Sequence, residues 1–222
     1  MMRAPWMVIL LLVGLAGLAN CSTKTQDKAT TKPASQPATR STSDAPAVDA
    51  EHAIVAAARN QIGKTLSYDP SYTTLSYPNG DVPIEKGVCT DVVIRALRSA
   101  LQMDLQRLVH EDMKVAFDKY PQQWGLKSPD SNIDHRRVPN LRRFFERQGW
   151  SLPVTHKNED YLPGDLVTCT VAGKLPHIMV VSGRKSIDGM PLVIHNIGQG
   201  VQEEPRLLEF PLTGHYRVGI KR

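Results

Sequence analysis

The chain is poor in most of the features that advertise a chemistry. Three cysteines in 222 residues make a thin disulfide framework, and their spacing fits no zinc finger. No glycine-rich phosphate loop and no internal repeat is present. Net charge is only +5, and no dense Lys/Arg run is interleaved with aromatics, so nucleic acid is not an expected partner. A mildly basic chain suits an anionic neighbourhood such as a cell wall or a membrane surface. The hydrophobic fraction, 41%, is ordinary for a globular protein and too high for wholesale disorder.

The apolar run Trp6 to Val13 is shorter than a membrane span needs. It follows a single basic residue, Arg3, and gives way to small residues. This is the pattern of an export signal over residues 1–20. Leu18-Ala19-Asn20-Cys21 resembles the lipobox of bacterial lipoproteins, which implies cleavage before Cys21 and lipidation of that cysteine. Asn20 departs from the small residue usual at its place. Ser22, rather than Asp, after the cysteine implies a protein lipid-anchored at the outer membrane and facing the periplasm. Residues 21–48 are Ser, Thr, Ala, Pro, Lys and Gln with hardly a large apolar side chain, and read as a disordered tether. Residues 49–222 are enough for one domain with its own core.

Two patterns divide that domain. Apolar residues at helical spacing predict a helix over 50–62 with Asp49 as candidate cap, a second from Cys89, a third over 104–120, and a fourth at Pro139 carrying Leu141, Phe144 and Phe145. From Tyr161 onward, short β-branched runs split by Gly and Pro turns predict strands at 166–171, 177–181, 192–196, 207–210 and 215–218. Helices followed by a mostly antiparallel sheet make an α+β fold. Between the first two helices, residues 67–83 carry Tyr68, Tyr72 and Tyr77 among Pro, Asn and Gly, as cleft-lining loops often do. His110, Glu111 and Asp112 are consecutive, so they point in different directions and read as a solvated face rather than a metal site.

The stretch Gly87-Val88-Cys89-Thr90-Asp91-Val92-Val93-Ile94-Arg95-Ala96-Leu97 is where chemistry concentrates. It reads as a turn that delivers Cys89 to the first turn of an apolar helix. Unpaired backbone N–H groups there favour a thiolate and can hold an oxyanion. His177 begins one predicted strand and His195 lies on the next. Adjacent strands run about 4.8 Å apart, close enough for the two imidazoles to touch. Each residue alone has a bland explanation: a buried structural cysteine, a turn-capping histidine, a half-buried one. The combination is more specific. A disulfide between Cys89 and Cys169 is the main rival use of the thiol. In the polar run Asn132-Ile133-Asp134-His135-Arg136-Arg137, the two arginines suit either a carboxylate clamp or surface ion pairs.

These strings, with His195-Asn196-Ile197-Gly198 and Val138-Pro139-Asn140-Leu141, resemble the bacterial envelope family known as domain of unknown function 1287, over about residues 52–219. More distantly, Pro163-Gly164-Asp165-Leu166-Val167, His177-Ile178-Met179-Val180-Val181 and Val193-Ile194-His195 follow the order of motifs in NlpC-type papain-like cell-wall peptidases. That likeness implies a papain-like fold, N-terminal helices packed on a mostly antiparallel sheet. It implies a hydrolase of peptide or amide bonds, with peptidoglycan or a peptide as substrate. Cys89 would be the nucleophile, His177 the general base and His195 its orienting partner, with no metal and no cofactor. Asp91, Asp134, His135, Arg136, Arg137 and Asn196 are the candidate substrate contacts, and Asn196 is an alternative orienter of the base. Tyr68, Tyr72 and Tyr77 are unranked candidates for an oxyanion donor. Thr90-Asp91 stands where NlpC enzymes have Ser-Gly, and an acid so near a thiol tends to raise its pKa unless a base neutralises it. A non-catalytic wall-binding lipoprotein, or a thiol acyltransferase, fits the same residues.

Overall fold

The computed structural model describes residues 45–219; the expected signal, Cys21 and most of the expected tether lie outside them. Helix α1 (Ala45–Arg59) begins earlier than the apolar pattern suggested, so Asp49 lies within the helix and does not cap it. Ile54, Val55 and Ala58 form its buried stripe.

Helix α2 (Cys89–Leu101) is the centre of the domain. Every residue from Cys89 to Leu97 is buried, which is why the segment is apolar on nearly all sides rather than along one stripe. It ends at Gln102 in the left-handed conformation, φ 55°, where Met103 donates back to the Leu97 carbonyl. Helix α3 (Leu105–Ala116) starts on an Asp104 cap, whose side chain accepts from the Gln106 N–H at 3.1 Å. The expected helix to Tyr120 is completed by a short 3-10 turn, Phe117–Lys119. Helix α4 (Val138–Arg147) begins with Pro139, whose fixed φ suits a first turn.

Short strands β1 (Ser67–Tyr68) and β2 (Lys86–Gly87) pair in parallel in front of α2. The main sheet contains β3 (Ser151–Leu152), β4 (Leu166–Val171), β5 (Leu175–Lys185), β6 (Pro191–Asn196), β7 (Val201–Glu204) and β8 (Leu212–Tyr216). Its order is β3-β8-β4-β5-β6-β7, with every neighbouring pair antiparallel. Among the described residues, four α-helices and a six-stranded antiparallel sheet make the expected α+β arrangement. No helix among the described residues is long and apolar enough to cross a membrane.

The sheet has two apolar faces. Leu166, Ile178, Val180, Ile194 and Tyr216 join the helices in the main core. Val167, Cys169, Met179, Val181 and Val193 form a smaller cluster closed by Tyr161 and Leu207. This second cluster corrects one expectation. Residues 207–210 are not a strand; they are a turn that plugs the far face, with Leu207 fully buried. The missing sheet neighbour is β7, whose sequence Val-Gln-Glu-Glu carries too little apolar alternation to announce a strand.

Candidate active site

Cys89 is the first residue of α2, and Val88 before it is extended. The Val88 N–H is held by the Asp91 carboxylate at 2.7 Å, which locks the turn. Gly87 is favoured here by space: a Cβ at residue 87 would sit tightly, 3.0 Å from Asp91 Oδ2 and 3.1 Å from its Cβ.

Asp91 is not a ligand-facing acid. Arg136 Nε and Nη2 bind its two oxygens at 2.9 Å each, and both side chains are at most 3% exposed. Thr90 Oγ1 donates to the Arg136 carbonyl at 3.1 Å. The stretches 87–97 and 132–141 are therefore stapled together just behind the thiol. The third motif joins them from the sheet: Asn196 Nδ2 donates to the carbonyls of Ser67 and Gly87, at 3.1 and 3.0 Å. Asn196 Oδ1 accepts from Gly198 N–H, so this amide braces β1 and β2 and does not orient a histidine.

An open cleft of about 270 Å³ runs across Cys89, walled by Tyr68, Val88, Trp124, Arg136, Arg137 and Pro176 among others. Arg137 pairs with Asp134 at 2.9 Å, and its guanidinium lies 4.1 Å over the Trp124 ring. Asp134 and His135 are buried behind this wall, at 1% and 2% exposure. Asp134 accepts from the Asp130 N–H, and burial raises its pKa. Burial drives His135 down to about 4, which keeps its ring neutral. Of the six candidate substrate contacts, Arg136 and Arg137 reach the cleft; Asp91, Asp134, His135 and Asn196 support it from behind.

The two histidines meet. His177 Nε2 lies 2.8 Å from His195 Nδ1, and the rings make an edge contact. The chain neighbours of His177 on β5 reach the thiol. Pro176 shares the cleft wall with Cys89, and the Ile178 backbone N–H faces the sulfur. Strand register explains the histidine pair. Val181 faces Val193 across β5 and β6, so His177 and His195, even steps from these, share one face on a diagonal. Glu204 lies on that face too, because Val193 pairs with it; its Oε2 is 3.1 Å from His195 Nε2. The carboxylate also meets Arg206 Nε at 3.3 Å. Glu204 went unnoticed in the sequence because β7 itself did.

Electrostatics corrects a second expectation. Burial pushes the Cys89 thiol up to about 11, with the Asp91 charge adding to it; the N–H groups of Ile178, Thr90 and Cys89 offset only part. The same burial pushes His177 down to about 3, with His195 adding to it. Burial thus favours the neutral thiol and the neutral imidazole at rest. Tyr68 is the tyrosine at the sulfur: burial, and then the Cys89 thiol and Asp91, raise its phenol to about 12. Tyr72 points to Asp130 and Asn132, and Tyr77 packs on His110. Cys89 and Cys169 are both free thiols. Among the described residues no group of three or more His, Cys, Asp or Glu is placed to hold a metal.

Comparison with known proteins fits this convergence of motifs. The family model described as Domain of unknown function (DUF1287) matches residues 55–218. The chain belongs to this family. The match contains Cys89, His177, His195 and Glu204 alike. An Escherichia coli (strain K12) protein described as "Uncharacterized protein YijF" is 57% identical over 169 residues, which are 76% of this chain and 82% of that protein.

Proposed function

We propose that the domain is a thiol hydrolase of the papain-like, NlpC-type design, cutting peptide or amide bonds of peptidoglycan from a lipid anchor at the outer membrane. The observation that carries this reading is a cysteine that opens a helix in a cleft wall and meets the backbone N–H of Ile178, the residue next in the chain to His177, which is hydrogen-bonded to His195. In the reaction, the Cys89 S–H proton passes to His177 as sulfur bonds to the carbonyl carbon. The carbonyl electron pair moves onto oxygen, where the Cys89 N–H and the Tyr68 hydroxyl are the candidate donors. His177 then protonates the leaving amine, and water releases the acyl group. Because the resting pair is neutral, proton transfer accompanies attack rather than preceding it.

The cleft suits a substrate of extended, partly polar form. Tyr68, Trp124, Pro139 and Pro176 offer flat apolar surface, and Arg137, 17% exposed, offers an edge for a carboxylate. The membrane anchor rests on the lipobox-like Leu18–Cys21. The test is release of soluble peptides from purified cell wall by the intact protein, Cys89→Ala and His177→Ala. Release by the intact protein alone is expected; equal background release from all three removes the reading. A wall-binding lipoprotein of the same fold is the second reading, favoured by the depth of Cys89, which is 3% exposed. It gains if the intact protein sediments with cell wall and releases nothing. Acyl transfer to an amine or lipid shares the first half-reaction, and product mass separates it from hydrolysis.

A further inference from the structure

We infer that Glu204 is a positioning residue that decides which nitrogen of His177 is the base. The inference starts from proton bookkeeping along a chain of three side chains. A carboxylate accepts hydrogen bonds and donates none, so the 3.1 Å contact from Glu204 Oε2 puts a proton on His195 Nε2. A neutral imidazole has one N–H. His195 Nδ1 is then a lone pair, and the 2.8 Å contact with His177 Nε2 puts the His177 proton on that nitrogen. By the same count His177 Nδ1 carries the lone pair. It is the nitrogen outside the His195 contact and, on the thiol-hydrolase reading, the one that receives the thiol proton.

Without the carboxylate the chain can run the other way. His195 would hold its proton on Nδ1 and donate it to His177 Nε2. The His177 proton would then sit on Nδ1, where it blocks base function. Both directions make equally good histidine–histidine hydrogen bonds, so that pair alone cannot choose. Burial makes the choice matter, since it disfavours the charged form of both rings and leaves tautomers as the states in play. Glu204 is 30% exposed and is itself held by Arg206, which also pairs with Glu209 at 3.4 Å. Arg206, Glu209 and Glu204 are the charges felt at His195. Cys169 on β4 pairs with His177 on β5.

The tautomer assignment stands on geometry; its catalytic consequence rests on the thiol-hydrolase reading. The experiment is ring-nitrogen NMR of ¹⁵N-histidine-labelled full-length protein at pH 7.5, with Glu204→Gln and Glu204→Asp. The intact protein is expected to show the Nε2–H form at both His177 and His195. Glu204→Gln can donate as well as accept, so a substantial Nδ1–H population should appear at both rings. Glu204→Asp should restore much of the Nε2–H form. Iodoacetamide labelling of Cys89 at pH 7.5 should slow about tenfold or more in Glu204→Gln, since general-base transfer contributes typically ~10²–10⁴. If the protein hydrolyses cell wall, the loss falls on kcat and leaves KM in place. Unchanged tautomers in a folded Glu204→Gln protein would overturn the inference even if the protein is a hydrolase. Glu204-dependent tautomers without wall hydrolysis would keep it and discard only the substrate reading.

Discussion

Removing Arg136 should be among the most damaging single changes available in this chain. Its guanidinium grips both oxygens of Asp91 at 2.9 Å, with the two side chains 2% and 3% exposed. Arg136→Met keeps the aliphatic stem and deletes the charge, so Asp91 is left buried with only the Val88 N–H to satisfy it. Breaking a buried pair by removing one partner costs about 3–5 kcal/mol, because the remaining charge has no water to fall back on. For a domain of this size that is a fall of roughly 6–20 °C in Tm, taking about 2–4 °C per kcal/mol. The assay is urea unfolding followed by far-UV circular dichroism at pH 7, with Arg136→Met, Asp91→Asn and the double variant. The double variant should recover about 2 kcal/mol or more, since neither side then leaves an uncompensated charge. The effect should persist in about 1 M salt, which screens exposed pairs far more than buried ones. A loss under about 1 kcal/mol, or one that salt abolishes, would show that the pair behaves as a surface contact. Its role as the staple between the two motifs would then be gone.

Tyr68→Phe should lower kcat on cell wall by about 10²–10³ with little change in KM if its hydroxyl meets the oxyanion; an unaltered kcat would reassign Tyr68 to packing. Stability should decline in acid. His135 and His177 have folded pKa values of about 4 and 3 against an ordinary 6.5, and His195 is also lowered. The unfolded chain binds protons more readily at these sites, so their contribution is complete above about pH 6.5. It is lost as pH falls below that, by at most about 1.4 kcal/mol per unit for each ring. Thermal melts from pH 7.5 to 5 should show a falling Tm that His135→Gln partly flattens; a level Tm would mean these rings are not held neutral. Iodoacetamide labelling of Cys89 should keep accelerating past pH 9, as a thiol near 11 requires; a rate already on a plateau at pH 6 would establish a thiolate–imidazolium pair instead.

The sequence made the order of elements legible and left their convergence hidden. Apolar residues at helical spacing located α2 because nearly all its residues are buried, and short continuous β-branched runs located β4, β5 and β6 because both sheet faces are covered. Residues 207–210 misled for a related reason. Leu207 and its neighbours are apolar because they plug a sheet face, and burial alone does not distinguish a plug from a strand. Cys89, His177 and His195 stood out by residue type at suggestive places. Glu204 did not, since an acid on a short polar strand looks like any solvated surface residue. The polar string 134–137 announced importance but not its kind. Asp134 and His135 are buried, and Arg136 is occupied by Asp91, contacts set by the packing of two distant segments.

The same buried staple explains how the cleft tolerates an acid two residues from its thiol. Asp91 still helps raise the thiol's pKa, but paired with Arg136 it serves as a structural clasp that fixes the Val88 turn and so aims the first N–H groups of α2. What that clasp does not do is make the thiol acidic, because burial outweighs the helix N-terminus. On the thiol-hydrolase reading, the site therefore has to draw its reactivity from the base side. That places the demand on the sheet face, where a proton must have one lone pair waiting for it and no other. A chain of His177, His195 and Glu204 across three strands supplies that direction, and the depth of the thiol makes the direction necessary.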